Sequence, residues 1–230
     1  MWEKFVLWLT RIMFCPKVEF MDESIQGIEL KEPMVIICNH TCKENKHRLS
    51  EADGPIIREI FKNKKVCSLA AKDIMEKFPW SILMKGLKCI PVDRGGLSLG
   101  WVRDCESELK NGNSVIIFPE GTTLKDEIID EFHGGFVTLA KKANVKVLPV
   151  VIYRTFGFMK RTTTVLIGVP QKLTNEAMTK DVRLRETERF KKIVVDMYCK
   201  VSGKTAAEVC CKRETEIFAD DVASFKKAKI

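Results

Sequence analysis

The stretch that decides the fold is VIIFPEGTT, residues 115–123. Its first four residues are apolar and predict a short strand that is buried on both faces. Pro119 cannot donate a backbone hydrogen bond and therefore ends the strand, while Gly121 permits a sharp turn and a close approach of the backbone to a ligand. Glu120 and Thr122 then follow the carboxyl end of a strand, where open α/β sheets bind ligands. A buried strand that merely ends in a turn is the alternative.

Other apolar runs of strand length alternate with stretches of helical spacing. The predicted strands are Met34–Cys38, Val66–Ala71, Cys89–Val92, Val147–Tyr153 and Val165–Val169, with Val18–Phe20 and Ile25–Glu29 as a strand pair. The predicted helices begin at Pro55, Asp73, Ser98 and Gly135 and end near Phe61, Lys85, Lys110 and Ala143. This alternation is typical of a single α/β domain with a largely parallel sheet flanked by helices.

Segments at both ends of the chain extend this domain, which we place at residues 15–172. Residues 1–14 are apolar and aromatic except at a few positions, and as a helix they are too short to span a bilayer but suit its interface. Packing of this helix on the domain's own core is the alternative. Residues 173–230 form a helical extension, predicted as two helices split near Ser202. Its lysine-rich face is either solvated or in contact with an anionic membrane.

Composition narrows the choice of partner. The net charge of +8 favours an anionic partner: a phosphorylated substrate, an anionic lipid surface or nucleic acid. Because zinc-finger spacings, RNA-binding aromatic patterns and a dense basic helix are missing from the sequence, nucleic acid is the weaker choice. The nine cysteines are irregularly spaced and lack a CxxC pair. They favour reduced thiols over disulfides and give no support to a metal site.

Polar residues follow several of the predicted strands. Asn39-His40, the segment DRGG at residues 93–96 and Glu120-Gly121-Thr122 come to one edge if the strands are parallel. His40 can accept a proton near neutral pH, and the fork of donors on Arg94 suits a phosphate. A base and a phosphate clamp without a Ser or Cys nucleophile indicate that the substrate's own hydroxyl attacks, as in acyl transfer to a phosphate-bearing alcohol.

These residues resemble the motifs of a known family, the PlsC-like glycerolphosphate acyltransferase superfamily. Its first motif is Asn-His followed after four residues by Asp, and its later motifs resemble IPVDRGG at residues 90–96, FPEGT at 118–122 and VLPV at 147–150. All occur here in the family's order, and the resemblance covers about residues 20–170. It implies a glycerolphosphate acyltransferase-like fold.

The resemblance also implies a reaction and a site. The reaction is transfer of a fatty acyl chain from acyl-CoA or acyl carrier protein to the hydroxyl of 1-acylglycerol 3-phosphate, with no metal or cofactor. His40 would be the general base and Asp53 its orienting acid. Arg94, Glu120, Gly121 and Thr122 would line the phosphate–glycerol site. Glycerol 3-phosphate or another lysophospholipid is the alternative acceptor, and a catalytically inactive lipid-binding relative is the alternative function.

The chain departs from the family pattern between the base and the acid. Removing residues 43–50 restores the motif spacing from His40 to Asp53, so we interpret these eight residues as a polar insertion that loops out. His47, inside the insertion, is a rival base. Thr123 replaces an arginine that is frequent in the lysophosphatidate-specific branch, which leaves the acceptor open.

For several site residues a purely structural role is the alternative. His40 would satisfy a strand-end carbonyl, Asp53 would only cap a helix, and Arg94 would pair with Asp93 or Glu120. His133 is expected to be a loop residue. If the enzyme interpretation holds, the apolar residues 1–14 and the helix Asp73–Lys85 are the candidates to hold the acyl chain. The protein is then expected at the cytosolic face of a membrane, the endoplasmic reticulum in a eukaryote.

Overall fold

The computed structural model describes residues 2–25, 32–40, 52–61, 65–76, 87, 89–92, 100–121, 128–156 and 161–210. Several predictions therefore lie outside the described residues. These are the roles of Arg94 and Thr122, the insertion 43–50 with His47, most of the predicted helix that ends at Lys85, and the chain after Cys210.

The described strands form one sheet of seven in the order β1-β7-β6-β2-β5-β3-β4. Their bounds are β1 Lys17–Phe20, β2 Met34–Cys38, β3 Val66–Ala71, β4 Ile90–Val92, β5 Ser114–Ile117, β6 Lys146–Phe156 and β7 Arg161–Ile167. Every neighbouring pair is parallel except β6 and β7, which are antiparallel. The predicted α/β class with a largely parallel sheet is confirmed.

The described helices are α1 Trp2–Phe14, α2 Asp53–Ile60, α3 Lys72–Met75, α4 Gly100–Lys110, α5 Gly135–Ala143, α6 Lys180–Ser202 and α7 Ala206–Val209. A single turn of 3₁₀ helix covers Glu23–Ile25. The helix α6 ends where predicted, because Gly203 takes the left-handed conformation (φ 73°) that closes a helix.

One predicted strand pair is described only in part, because residues 26–29 lie outside the described residues. Val18–Phe20 was expected to pair with Ile25–Glu29, but β1 pairs in parallel with Thr164–Ile167 of β7. Ile25 belongs to the 3₁₀ turn instead, and its side chain is buried. A hairpin was the simplest interpretation of two short apolar runs around a polar turn. The apolar edge of β7 offers β1 a longer partner, which local sequence does not reveal.

The core lies in two layers, one on each face of the sheet. Alternate residues of the central strands face opposite sides, so that Val35 and Ile37 belong to the layer that contains α4, α5 and α6, while Ile36 and Cys38 belong to the layer that contains α2. The long tail helix α6 buries Phe190, Val194 and other apolar residues in the first layer, against Phe136 of α5. Its apolar stripe is therefore part of the domain core.

The helix α1 lies on α2 and buries Val6 and Leu7 beside Leu87. Glu3 in its first turn forms an ion pair with the buried Arg58 of α2, at 2.6 Å between Oε1 and Nη2. Among the described residues, no helix combines the length and the apolar character that a membrane crossing requires.

Candidate active site

The central strand β2 ends at the candidate site and is fixed there by Asn39. The Asn39 side-chain amide donates to the carbonyl of Ile152 on β6 (3.1 Å) and its oxygen accepts the N–H of the same residue (3.0 Å). A side chain thus continues the pairing of β2 with β6 for one more step after the strand ends. Because Asn39 is buried, these bonds set the point from which His40 leaves the sheet.

Glu120 fixes the backbone of His40 from the other neighbouring strand. Its Oε1 accepts the backbone N–H of His40 (2.8 Å), and its Oε2 accepts the N–H of Asp130 (3.2 Å). The side chain is only 2% exposed, and burial raises its pKa to about 8 although both N–H donors oppose the rise. Glu120 therefore joins the carboxyl ends of β2 and β5 to the segment that leads into α5.

His40 and Asp53 lie in contact across the insertion. The distance from His40 Nδ1 to Asp53 Oδ2 is 3.3 Å, and the carboxylate is fully buried. Since an ionised carboxylate can only accept, Nδ1 carries the proton in this contact and Nε2 keeps its lone pair. That arrangement suits a general base, with the carboxylate fixing the tautomer and stabilising the imidazolium.

The prediction that Asp53 caps the following helix is wrong. The helix α2 begins at Asp53 itself, and the residue in the N-cap position is Ala52, whose side chain makes no capping bond. Instead, Asp53 Oδ1 lies 2.7 Å from Nη2 of Arg154 on β6. The carboxylate thereby gains a charged partner in Arg154, which is a stronger partner than a neutral backbone N–H.

The imidazole of His40 also stacks on Phe118. Their ring centroids lie 4.0 Å apart, with an angle of 14° between the planes. On the far side of the β5 turn, Gly121 has a φ of 66°, and a β-carbon there would lie 3.0 Å from Cδ2 of His133. Gly121 therefore lets the turn approach His133 closely. The predicted approach of this turn to a ligand stays a prediction.

These side chains surround a cleft of about 300 Å³. Its lining is mostly apolar, and its polar ring nitrogens come from two histidines; the residues are His40, Leu69, Ala70, Ala71, Val92, Phe118, Gly121 and His133. Such a lining suits an apolar substrate that presents one reacting polar group. Within the described part of the chain, no group of His, Cys, Asp and Glu side chains is arranged to hold a metal ion.

The structure thus brings His40, Glu120 and Gly121 to one edge of the sheet, as their positions after parallel strands predicted, and Asp53, assigned through the resemblance, contacts His40 there. Both oxygens of Glu120 accept backbone N–H groups, and its contact with a substrate stays a prediction. The phosphate contacts assigned to Arg94 and Thr122 lie outside the described residues and also stay predictions.

Sequence reasoning missed four residues of this site. Asn39 stood in the quoted motif without a role, and Phe118 was treated only as a strand residue. His133 does lie in a loop, but that loop forms a wall of the cleft. The predicted strand ended at Tyr153, directly before Arg154, whereas β6 continues to Phe156. Strand periodicity could have identified Arg154. It lies two and four residues after Ile152 and Val150, and therefore on the face of β6 that packs on the layer containing α2.

Comparisons with known proteins agree with this geometry. Residues 17–153 match the family described as Acyltransferase. The chain is 27% identical over 132 residues to a probable 1-acyl-sn-glycerol-3-phosphate acyltransferase of Mycoplasma genitalium, covering 56% of this chain and 47% of that protein. It is 29% identical over 154 residues to a lyso-ornithine lipid O-acyltransferase of Pseudomonas aeruginosa, covering 65% of this chain and 54% of that protein. The chain thus spans about half the length of these curated relatives.

The fold has a solved counterpart in the 1-acyl-sn-glycerophosphate (LPA) acyltransferase PlsC of Thermotoga maritima. The two structures superpose with a TM-score of 0.60 over 85% of this chain and 79% of the other, at 19% sequence identity. That likeness concerns the fold. The family match covers more than half of the chain and includes His40, Asp53 and Glu120. This protein is therefore a member of the acyltransferase family.

Proposed function

We propose that this protein transfers a fatty acyl chain from a thioester, acyl-CoA or acyl-acyl carrier protein, to the free hydroxyl of 1-acylglycerol 3-phosphate. The observation that carries the proposal is the contact of 3.3 Å between His40 Nδ1 and the buried Asp53, at the wall of an apolar cleft. An orienting carboxylate within reach of a base is the arrangement that activates a nucleophile, and such contacts are often longer without substrate. An inactive lipid-binding relative would have no need of it.

The chemistry needs only one base that later acts as an acid. Nε2 of His40 takes the proton of the acceptor hydroxyl as its oxygen attacks the thioester carbonyl. The tetrahedral intermediate then expels the thiolate, which receives the proton from the imidazolium, so that the products are an ester and a free thiol. Asp53 stabilises the imidazolium between these two transfers. No metal ion or cofactor takes part in this proposal.

The helix α1 supports docking of the enzyme on a membrane surface, where its acceptor would reside. The outward face of this helix exposes large apolar side chains, namely Phe5, Trp8, Leu9, Ile12 and Met13. Lys4 and Arg11 are exposed on the same helix, where they can meet anionic headgroups. We propose peripheral association through this face, with the cleft supplied by acceptor from the same leaflet.

The acceptor is tested by a screen with labelled acyl-CoA and, in parallel, labelled acyl-acyl carrier protein. Glycerol 3-phosphate, 1-acylglycerol 3-phosphate, neutral lysophospholipids and lyso-ornithine lipid are offered at equal concentration on vesicles. We expect the highest kcat/KM with 1-acylglycerol 3-phosphate. A similarity of 29% to a lyso-ornithine lipid O-acyltransferase favours one second candidate, transfer to a different lysolipid. A higher kcat/KM with lyso-ornithine lipid would make it the acceptor in place of 1-acylglycerol 3-phosphate, and the proposed acyl-transfer chemistry would stay the same.

The assignment of the base is tested by His40→Ala compared with His47→Ala. Loss of a general base typically costs about 100-fold to 10,000-fold in rate, and we expect at least that loss for His40→Ala. The variant of His47, the rival base within the insertion, is expected to stay near wild-type kcat. Wild-type activity in His40→Ala, or loss confined to His47→Ala, would transfer the role to the insertion. Circular dichroism confirms that each variant is folded.

A further inference from the structure

We propose that Arg154 is a positioning residue of the reaction: it holds the Asp53 carboxylate turned toward His40, and its positive charge opposes a second positive charge on the imidazole. This inference rests on the proposed function, since it concerns the same base. Neither the quoted motifs nor their spacing assign a role to Arg154, which lies four residues after the VLPV segment.

The geometry places Arg154 directly behind the acid. One oxygen of Asp53 contacts Arg154 Nη2 at 2.7 Å, and the other contacts His40 Nδ1 at 3.3 Å. The side chains of Arg154 and Asp53 are 3% and 0% exposed, so that water does not screen their charges. With each oxygen occupied by a different partner, the carboxylate cannot rotate without breaking one of the contacts.

The backbone and α1 hold the guanidinium itself in place. Arg154 lies in β6, two residues after Ile152, whose backbone groups bind the Asn39 side chain. On its other side, the guanidinium carbon lies 5.1 Å from the ring centroid of Phe14, the last residue of α1. An aromatic face is a favourable neighbour for a guanidinium that has lost its hydration. The position of Arg154 is therefore determined by the sheet and by the covering helix.

The electrostatic consequence has a definite sign. A buried carboxylate without a cation tends to take up a proton, and a protonated Asp53 would no longer stabilise the imidazolium. Arg154 prevents this, and its positive charge also disfavours a second positive charge on His40 nearby. Without that charge the His40–Asp53 pair would bind a proton more tightly, so the base would be blocked up to a higher pH.

Among the described residues, other titratable groups near the pair come from several neighbouring elements. Glu120 follows β5 and binds the His40 backbone, Asp130 lies beside Glu120, and His133 lies across the cleft. Cys38 at the end of β2 is a buried thiol whose pKa is raised by burial and by the carboxylates of Asp53 and Glu120. Glu120, Asp130 and Cys38 remain in place in all variants below, and His133 is replaced only in the variant that assigns the histidine signals, so that differences between the Arg154 variants report on the charge at position 154.

The test compares Arg154→Gln, which keeps an N–H donor but loses the charge, with Arg154→Lys, which keeps the charge but loses the planar fork. For a charge within a few ångströms of a buried pair, we expect the acid limb of the kcat/KM profile to move up by about one pH unit in Arg154→Gln. Below the midpoint, that shift lowers kcat/KM about tenfold at a given pH. In Arg154→Lys the midpoint is expected to stay near that of the wild type.

A second readout does not depend on activity. The chain has three histidines, so ring ¹⁵N signals can be assigned with His47→Gln and His133→Gln and followed through a pH titration. We expect the His40 midpoint to rise in Arg154→Gln by the same amount as the kinetic limb, and to stay unchanged in Arg154→Lys. Equal His40 midpoints in wild type and Arg154→Gln would overturn the inference. If the acceptor screen failed while this shift appeared, only the proposed substrate would be wrong.

Loss of the arginine alone leaves a buried carboxylate, which threatens folding of the single variant. The comparison is therefore repeated in a background without that carboxylate, as Asp53→Asn against Asp53→Asn/Arg154→Gln. Because Arg154 repels the imidazolium directly, we expect a higher His40 midpoint in the double variant than in Asp53→Asn. If Arg154→Gln does not fold and the His40 titration curves of Asp53→Asn and Asp53→Asn/Arg154→Gln coincide, Arg154 has only a structural role.

Discussion

The two ends of the strand β6 carry the same kind of contact in opposite surroundings. At its start, Lys146 Nζ lies 3.2 Å from Glu32 Oε2, and the two side chains are 36% and 65% exposed. Near its end, Arg154 pairs with Asp53 at 2.7 Å with almost no exposure. An exposed pair contributes roughly 0–1 kcal/mol, whereas removing one partner of a buried pair costs about 3–5 kcal/mol. The same ionic chemistry thus has a structural consequence only where water is excluded.

The cavities at the amino and carboxyl ends of the sheet also differ in the surroundings of their charged groups. The amino end of the sheet has the larger cavity, of about 460 Å³, with Lys141, Lys146 and Lys172 in its lining. Lys141 donates to the carbonyl of Thr174 and Lys146 pairs with Glu32, so these charges have partners within the chain. The smaller cleft at the carboxyl end has a ring nitrogen backed by a buried carboxylate. Volume alone therefore does not identify the reactive edge.

The largest expected effect is the difference in stability that is lost when each of the two ion pairs is broken. Asp53→Ala leaves the buried Arg154 without this carboxylate and should lower the free energy of unfolding by about 3–5 kcal/mol. Glu32→Ala, the matched change at the other end of β6, should stay within about 0.5 kcal/mol of the wild type. Urea denaturation at constant pH measures both. Equal losses in the two variants would mean that burial does not distinguish the pairs.

A smaller effect concerns the pH dependence of stability. The pKa of Glu120 is about 8 in the folded protein, against an ordinary value of 4.5. Because the folded state binds this proton more tightly, the contribution is present below pH 4.5 and is lost as the pH rises through about 8. Glu120→Gln resembles the protonated side chain and does not titrate. The stability of the wild type relative to this variant should therefore fall by up to a few kcal/mol between pH 5 and pH 9.

Thermal and urea unfolding at several pH values measure this difference. Glu32→Gln at the exposed amino end is the control, since its side chain is 65% exposed and already solvated. We expect its stability curve to run parallel to that of the wild type. A parallel curve for Glu120→Gln as well would refute the assigned effect of burial on Glu120.

The smallest effect compares the turns at the two ends of β5. Gly112 precedes this strand with a φ of 80° and has open space around it, while Gly121 follows the strand with a φ of 66° and faces His133. Alanine in a left-handed conformation costs roughly 1–2 kcal/mol at either position. Gly121→Ala should cost more than Gly112→Ala, because its β-carbon also displaces His133, and it should raise KM. Equal free energies of unfolding and an unchanged KM would show that the cleft tolerates this crowding.

Local sequence was sufficient for the central elements. The strand Met34–Cys38 and the helix Gly135–Ala143 have the predicted bounds, because a compact apolar run and an amphipathic stretch between glycine and asparagine leave few alternatives. The placement of His40 and Glu120 at one edge followed from parallel strands. Local sequence was insufficient where the partner is distant, as for β1, whose pairing with β7 joins residues far apart in the chain.

Asp53 and Arg154 show the same limit of prediction from local sequence within the site. Asp53 was assigned through the resemblance and the spacing that remains without the insertion, and its contact with His40 agrees with that assignment. Asp53 is the first residue of α2, after the N-cap position, and its carboxylate contacts Arg154 of β6. The residues next to Asp53 do not indicate that its partner is Arg154, about a hundred positions later in the chain.

The order of strands and helices and the edge that carries the polar residues are properties of the sequence itself, because apolar periodicity and strand-end chemistry are local. The strand order in the sheet, the buried contact of Asp53 with Arg154 and the raised pKa of Glu120 exist only in the folded molecule. Each of them depends on the exclusion of water by elements from distant parts of the chain, and the strength of a charge interaction changes with that exclusion.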